Sequence, residues 1–386
     1  MDFSLSQDQL QLQDTARRFC RTELPKLAVQ LERDAEPVPH AWMKRYAELG
    51  YLGINTDPAY GGLGLPHLDA LVVMEEFAKI SVAVGFPVFE CCTGPVRIVE
   101  RFGCDALKAR IIPRVVAGDL LVAISMSEPD AGSALTDLRT RARIDGDQIV
   151  IDGTKRWCSG AGHSGGYVVF CRIGSAPGAK GIGAVFVEKD TPGLSFGPAE
   201  KLMGFRGVPS ADMIFENVRV PKENLLVGAG GFGQLMGVFN LERLGNATMS
   251  LGLAAAALDQ ITAYVQERKQ FGKPIADFQM VQVRLAEMAM KTEAARLLIH
   301  RAASNAGREL PSVREASLAK CYANEITREV TGAAVQLMGG YGYAVEYGAE
   351  GRMRDAFGWG IAGGTIDMQK MNIASELIGR RFDQRR

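Results

Sequence analysis

The chain has 386 residues, 47% of them hydrophobic, more than one core usually organises and enough apolar surface for two or three packed layers. Its 44 basic and 44 acidic side chains cancel, so neither nucleic acid nor an anionic membrane is an expected partner, and partners must be recognised locally. Seven cysteines without CxxC pairing fit a reducing cytoplasm, and four histidines (His40, His67, His163, His300) lie too far apart in sequence for clustered metal ligation to be expected.

The first residues carry acids, amides and helical periodicity, whereas a signal or transit peptide would begin basic and continue apolar. No run of about 18 purely apolar residues occurs, so no membrane span is expected. Up to Gly118, residues 5–24, 42–49, 68–84 and 95–116 place apolar side chains at three-to-four spacing, and the cluster Pro58, Gly61, Gly62, Gly64 and Pro66 separates helices.

From residue 120 to about residue 226 the period changes to two, with β-rich runs at 148–151, 167–173, 183–188 and 213–220. Asp145-Gly146 and Asp152-Gly153 are signals for hairpins or tight turns. After Gly233 the helical period returns, over residues 234–269, 278–307, 312–338 and 365–380, punctuated by Gly272, Pro274, Pro311, Gly339 and Gly340. Ala254 to Ala257 would let helix axes approach closely. The expected fold is α+β and mostly α: an N-terminal helical domain (1–119), a middle antiparallel β domain (120–229) and a C-terminal four-helix bundle (230–386).

Residues 228–233 fit GxGxxG literally, but they follow a Pro221-containing segment, and no βαβ unit or ribose-binding acid completes a dinucleotide fingerprint. They read as a sheet-to-helix connection. Residues 125–133 pack hydroxyls, Pro129 and Gly132 into a loop after an apolar strand, which alone is an ordinary turn. Residues 155–160, with Trp157 and Ser159, leave a hairpin strand, where a single Trp is usually packing.

Glu242 stands out. It and Arg243 are the only charged residues in the 35-residue run 224–258, and on a helix its neighbours would be Val238, Phe239, Gly245 and Asn246, so no local cation can pair with it. Poor solvation raises a carboxylate's proton affinity and suits it to taking a proton from carbon. The alternative is a buried structural carboxylate that anchors a loop through backbone donors.

The loop at 125–133 and the segment 155–160, followed by Arg268-Lys269-Gln270-Phe271-Gly272 and Gln336-Leu337-Met338-Gly339-Gly340, resemble the acyl-CoA dehydrogenase family of flavoproteins over essentially the whole chain. The resemblance implies FAD as cofactor. The loop from Ile124 through Met126, Ser127 and Gly132 to Ser133 would lie along the flavin pyrimidine, with Ser133 also near pyrophosphate and substrate. Trp157 would stand beside the isoalloxazine, and Ser159 would hydrogen-bond flavin N5. Arg268, Phe271 and Gln279 would hold the diphosphate and adenosine of a neighbouring subunit's FAD, with Gln336, Gly339 and Gly340 approaching the same dinucleotide and Thr365 and Asp367 completing the cofactor set. Sharing FAD across subunits implies a homotetramer.

Many members carry the catalytic glutamate just before a Gly-Thr pair near the carboxyl end, where this chain has Gly363 followed by Gly364 and Thr365. Isovaleryl-type and long-chain-type members carry it in a Glu-Arg pair on the first helix of the terminal bundle, which matches Asn240-Leu241-Glu242-Arg243-Leu244. The implied reaction is α,β-dehydrogenation of an acyl-CoA to a trans-2-enoyl-CoA. Glu242 would take the α-proton, flavin N5 the β-hydride, and Asn240, Arg243, Gly363 and Gly364 would bind substrate. An electron-transfer flavoprotein would be the acceptor. Alternatives are the same chemistry on a carrier-protein thioester and a non-catalytic FAD- or CoA-binding subunit. Chain length is not legible: Met236, Phe239, Leu244 and Met249 line a pocket or simply fill the core.

Overall fold

The computed structural model of the protein describes residues 4–382, so the terminal ends of the expected outer domains lie outside the described residues. Seven helices come first: α1 (Gln7–Glu23), α2 (Pro25–Asp34), α3 (His40–Glu48), α4 (His67–Ile80), α5 (Val82–Cys92), α6 (Val96–Phe102) and α7 (Asp105–Val116). Ser6 and Gln9 form a capping box that starts α1. The single helix expected over 68–84 is two, because Ser81 is extended and its side chain accepts from Val84 N, ending α4 and capping α5. The helix expected over 95–116 likewise breaks, at the extended Gly103 and Cys104. Most of α5 escaped the periodicity reading because it is buried all round and shows no polar stripe. Of the most apolar 18-residue window in the stretch Val82–Phe102, 94% lies inside the fold.

Eight strands follow: β1 (Val122–Ser125), β2 (Arg141–Asp145), β3 (Gln148–Ser159), β4 (Gly166–Ile173), β5 (Ile182–Glu188), β6 (Leu194–Phe196), β7 (Ser210–Pro221) and β8 (Leu225–Val227). They form one sheet in the order β6-β7-β3-β2-β4-β5-β8, with β1 on β4. Pairing is mostly antiparallel, but β1 and part of β2 run parallel to β4. Asp145-Gly146 turns β2 into β3. Asp152-Gly153 does not turn the chain. It is a bulge inside β3, where the register with β7 shifts and Asp152 Oδ1 accepts from Asn217 N at 2.7 Å. A methyl group at Gly153 would come within 2.6 Å of Thr140 Oγ1, which explains the glycine. Alternation divides the sheet: Val168, Phe170 and Phe186 join the large helical core, while Tyr167, Val169 and Val187 join a second core on the opposite face.

The C-terminal part contains α8 (Phe232–Glu267), a ribbon of β9 (Lys269–Gln270) and β10 (Lys273–Pro274), then α9 (Gln279–Ala306), α10 (Val313–Met338), the short α11 (Gly340–Tyr343), α12 (Ala349–Trp359) and α13 (Ile366–Ile378). Helix α10 packs against α8, α9, α12 and α13, giving the expected bundle, with α11 and α12 as additions. The GxGxxG stretch is the connection from β8, which pairs antiparallel with β5, into α8. A methyl group at Gly231 would overlap Val227. The helical, β, helical order stands, and α4 and α5 against α8 place two elements of the first region beside the first helix of the third.

Candidate active site

Helix α8 is buried on every side between Val238 and Ala257. Small residues make this possible: methyl groups at Gly245 and Gly252 would lie 2.0 Å from Thr93 Oγ1 and 2.4 Å from Ala78 Cβ, so α8 presses directly on α4 and α5. Glu242 sits in this stretch, 9% exposed, and among the described residues its Oε2 has no hydrogen-bond partner. It faces a cavity of about 20 Å³ shared with Glu90, Thr93, Gly94, Pro95, Ile98, Ile124, Val238 and Phe239. Burial raises its pKa to about 7, against the pull of Lys320 and then Arg243. Glu90 is also buried, its Oε2 has no hydrogen-bond partner among the described residues, and burial together with Glu242 pushes its carboxyl well above the usual range.

Arg243 does not clasp Glu242. Its Nη1 donates to Asn240 Oδ1, its guanidinium lies 5.6 Å from the Phe239 ring centre, and Asn240 Nδ2 donates to Pro311 O at 3.1 Å. The pair therefore ties α8 to the segment before α10.

The turn between α12 and α13 closes over the acid. Gly363 and Gly364 take φ values of +67° and +87°, and a methyl group at Gly363 would stand 3.0 Å from Glu242 Oε2 and 3.1 Å from Oε1. The two alternative acid positions in the sequence thus converge on one point in space. Lys320 Nζ on α10 donates to Ala362 O at 2.8 Å and to Gly364 O at 2.9 Å. Thr365 caps α13 by accepting from Met368 N, and Asp367 is exposed in its first turn.

The loop after β1 is stitched to β3. Arg156 N donates to Ser127 O, Cys158 Sγ to Ile124 O, and Lys155 Nζ to both Met126 O and Glu128 Oε1, each of the last two at 2.9 Å. Glu128 also accepts from Arg139 N and Thr140 N, and its pKa is lowered: burial opposes ionisation, but Lys155 and these donors outweigh it. This buried pair had no signature in the sequence. It brings Ser127 beside Trp157, which is 53% exposed, has φ of +62° at a second register shift in β3, and lies under the Arg156 guanidinium at 4.3 Å. A non-glycine residue in the left-handed region is rare in a strand, and here it turns the indole out. Ser159 is half-buried two residues on, while Gly132 and Ser133 are exposed.

A second, open cleft of about 590 Å³ gathers Arg268, Gln336, Gly339 and Gly340, residues that are far apart in sequence. Arg268 stands 5.4 Å from the Tyr341 ring centre, and Gly339, at φ +60°, ends α10. Side chains added at Gly339 or Gly340 would meet nothing within 4 Å, so the backbone there is open to a large ligand. Phe271 (94% exposed) and Gln279 lie at the ribbon and the start of α9, outside this cleft.

A buried, proton-avid acid under a glycine turn, an exposed indole at a strand bulge and an open cleft with an arginine and several aromatic rings are features that suit a flavin-dependent oxidoreductase. An arginine, a ring and bare backbone suit a dinucleotide's diphosphate and adenine, so the residues present fit FAD.

Family models agree along the chain: "Acyl-CoA dehydrogenase, N-terminal domain" matches residues 6–119, the "middle domain" 123–218 and the "C-terminal domain" 229–378. The protein belongs to the acyl-CoA dehydrogenase family, a family of FAD enzymes. It is 37% identical to a 3-sulfinopropanoyl-CoA desulfinase of Paraburkholderia xenovorans, over 100% of this chain and 99% of that one. Butyryl-CoA dehydrogenase from Megasphaera elsdenii superposes with a TM-score of 0.94 at 31% identity, covering 98% of this chain and all of that one. A glutaryl-CoA dehydrogenase from Mycobacterium smegmatis in complex with FADH2 superposes at 0.92, with 26% identity and coverage of 98% and 97%.

Proposed function

We propose that the protein removes the α-proton and β-hydride of an acyl-CoA thioester to give a trans-2-enoyl-CoA, with Glu242 as the base. The observation that carries this reading is the buried Glu242 carboxyl, with an oxygen that has no partner among the described residues and lies against a small cavity and the Gly363 backbone. A carboxylate whose proton affinity burial has raised toward neutrality is a better base for a weakly acidic carbon than one in water. The main chain of the 362–364 turn, in a water-poor pocket, stabilises charge developing on the thioester oxygen. Ser127, Trp157 and Ser159 hold the flavin ring, and Arg268, Gln336, Gly339 and Gly340 hold the dinucleotide. FAD, when bound, supplies the two-electron acceptor that takes the β-hydrogen as hydride.

An electron-transfer flavoprotein is the proposed acceptor. The exposed Phe271, Met280, Tyr343 and Val345 are suited to self-association, and we assign them to a homotetramer in the cytoplasm. Anaerobic bleaching of the flavin by acyl-CoAs of graded length tests the reaction, and light scattering tests the assembly. Glu242→Gln is expected to keep its FAD and oligomeric state and lose roughly 10²- to 10⁴-fold in bleaching rate. A variant that bleaches at nearly the normal rate would remove Glu242 from the role.

A further inference from the structure

Lys320 is fully buried in the N-terminal half of α10, where a charge is expensive unless something requires it. Its ammonium donates to Ala362 O at 2.8 Å and Gly364 O at 2.9 Å, bracketing Gly363. On the other side of that glycine, the Glu242 carboxylate stands at 3.0 to 3.1 Å from where a methyl group would be. The turn already has neutral donors: Asn246 Nδ2 reaches Ala362 O and Trp359 O, both at 3.3 Å, and Gln369 Nε2 reaches Gly364 O at 2.9 Å. Asn324 orders Asn246 through a 2.9 Å hydrogen bond, and all three amides are buried. Hydrogen bonding alone therefore does not explain a lysine at this place, whereas an acid on the far side of the same turn does.

We propose that Lys320 is a positioning residue for proton abstraction, clamping the Gly363 turn against Glu242 and supplying the buried positive charge that keeps this carboxylate available as a base. The inference rests on Glu242 being that base. Two cations act on Glu242 from the packed elements, Lys320 on α10 and, less strongly, Arg243 on α8, and both favour its ionisation. Glu90 on α5 is held protonated by burial and by Glu242 itself. Burial pushes Lys320 itself down, with Glu242 holding it up, so each ion sustains the other.

The test is the pH profile of flavin bleaching in wild type, Glu242→Gln, Lys320→Met, Lys320→Gln and Gln369→Leu, with FAD content and Tm recorded for each. Wild type should lose rate as pH falls through about 7. Removing the lysine charge should move that acid limb up by about one pH unit or more, so the rate deficit at pH 6 exceeds that at pH 9 by about tenfold or more. Lys320→Gln keeps a donor for the turn and should show the same shift. Gln369→Leu loosens Gly364 O without touching the charge, so its plateau should fall and its limb stay in place. Lys320 variants whose plateau falls with no movement of the limb would overturn the inference, as would failure of both to fold with FAD bound, which assigns the lysine to stability alone. If Glu242→Gln keeps its rate, the base reading itself fails, and that result is distinguishable from a fixed limb in the lysine variants.

Discussion

The pocket at Glu242 and the cleft at Arg268 treat charge in opposite ways. In the pocket, Glu242, Glu90 and Lys320 are buried, two carboxyl oxygens have no partner among the described residues, and proton affinities move far from their solution values. In the cleft, Arg268 and the glycine backbone are exposed, and a ring lies beside the guanidinium. Burial changes what a carboxylate can do to a proton, so it belongs where a bond is broken. Exposure keeps a cation free to meet a phosphate, so it belongs where a large anionic ligand is gripped.

The sharpest way to break this contrast within the pocket, after loss of Glu242 itself, is Gly363→Ala. Its φ of +67° disfavours any side chain, and the added methyl group would push on both carboxylate oxygens. We expect a fall of roughly ten- to hundredfold in bleaching rate, since small misplacements of a base are costly, with FAD content unchanged. Stopped-flow bleaching checks this, and a rate within twofold of wild type would mean the turn yields without disturbing the acid.

Glu242 was legible because it is a lone acid in an uncharged run, and the helical, β, helical order was legible because the hydrophobic period changes twice. Glu90 carried the same signal, being the only charged residue between Lys79 and Arg97, but its helix is apolar all round and drew no attention. Lys320 gave no signal. On α10 it is one lysine among Arg314, Glu315 and Glu325, a pattern that reads as a solvated face, and only the packing of the 362–364 turn buries it. Trp157 could be picked out as an aromatic near a turn, but not that a register shift in β3 turns it outward. The meeting of Arg268 with Gly339 depends on contacts between elements distant in the chain, such as Tyr264 Oη donating to Met338 O. Hydrophobic pattern reports which face is buried and says nothing about which distant partner covers it.

On the open side, Arg268→Ala should weaken FAD without altering the chemistry. A charge-assisted hydrogen bond contributes roughly 1.5 to 3 kcal/mol, so FAD affinity should drop about ten- to hundredfold, read by fluorescence titration of apoprotein. At saturating FAD the bleaching rate should stay within about twofold. A fall in rate with unchanged affinity would reverse the division of labour between the two regions.

A buried acid outside both regions supplies the control with the smallest effect. Asp355 on α12 accepts from Phe205 N at 2.7 Å and holds the 203–205 loop, and burial raises its pKa to about 7 although this hydrogen bond opposes the shift. Because the folded value lies above the unfolded one, its stabilising contribution is complete below about pH 4 and disappears as pH rises through about 7. Glu242 carries the same sign over the same window. Asp355→Asn keeps an acceptor for Phe205 N and removes the charge, so the fall of Tm between pH 5 and pH 8 should become shallower, with a gain on the order of 1 kcal/mol or more at pH 8. The bleaching profile should keep its acid limb near pH 7, because the proposed function assigns that limb to Glu242. Were Asp355→Asn to leave the Tm slope intact and move the limb, burial at α12 would be coupled to the pocket, and proton affinity would be set by the bundle as a whole, with no special part for the groups around Gly363.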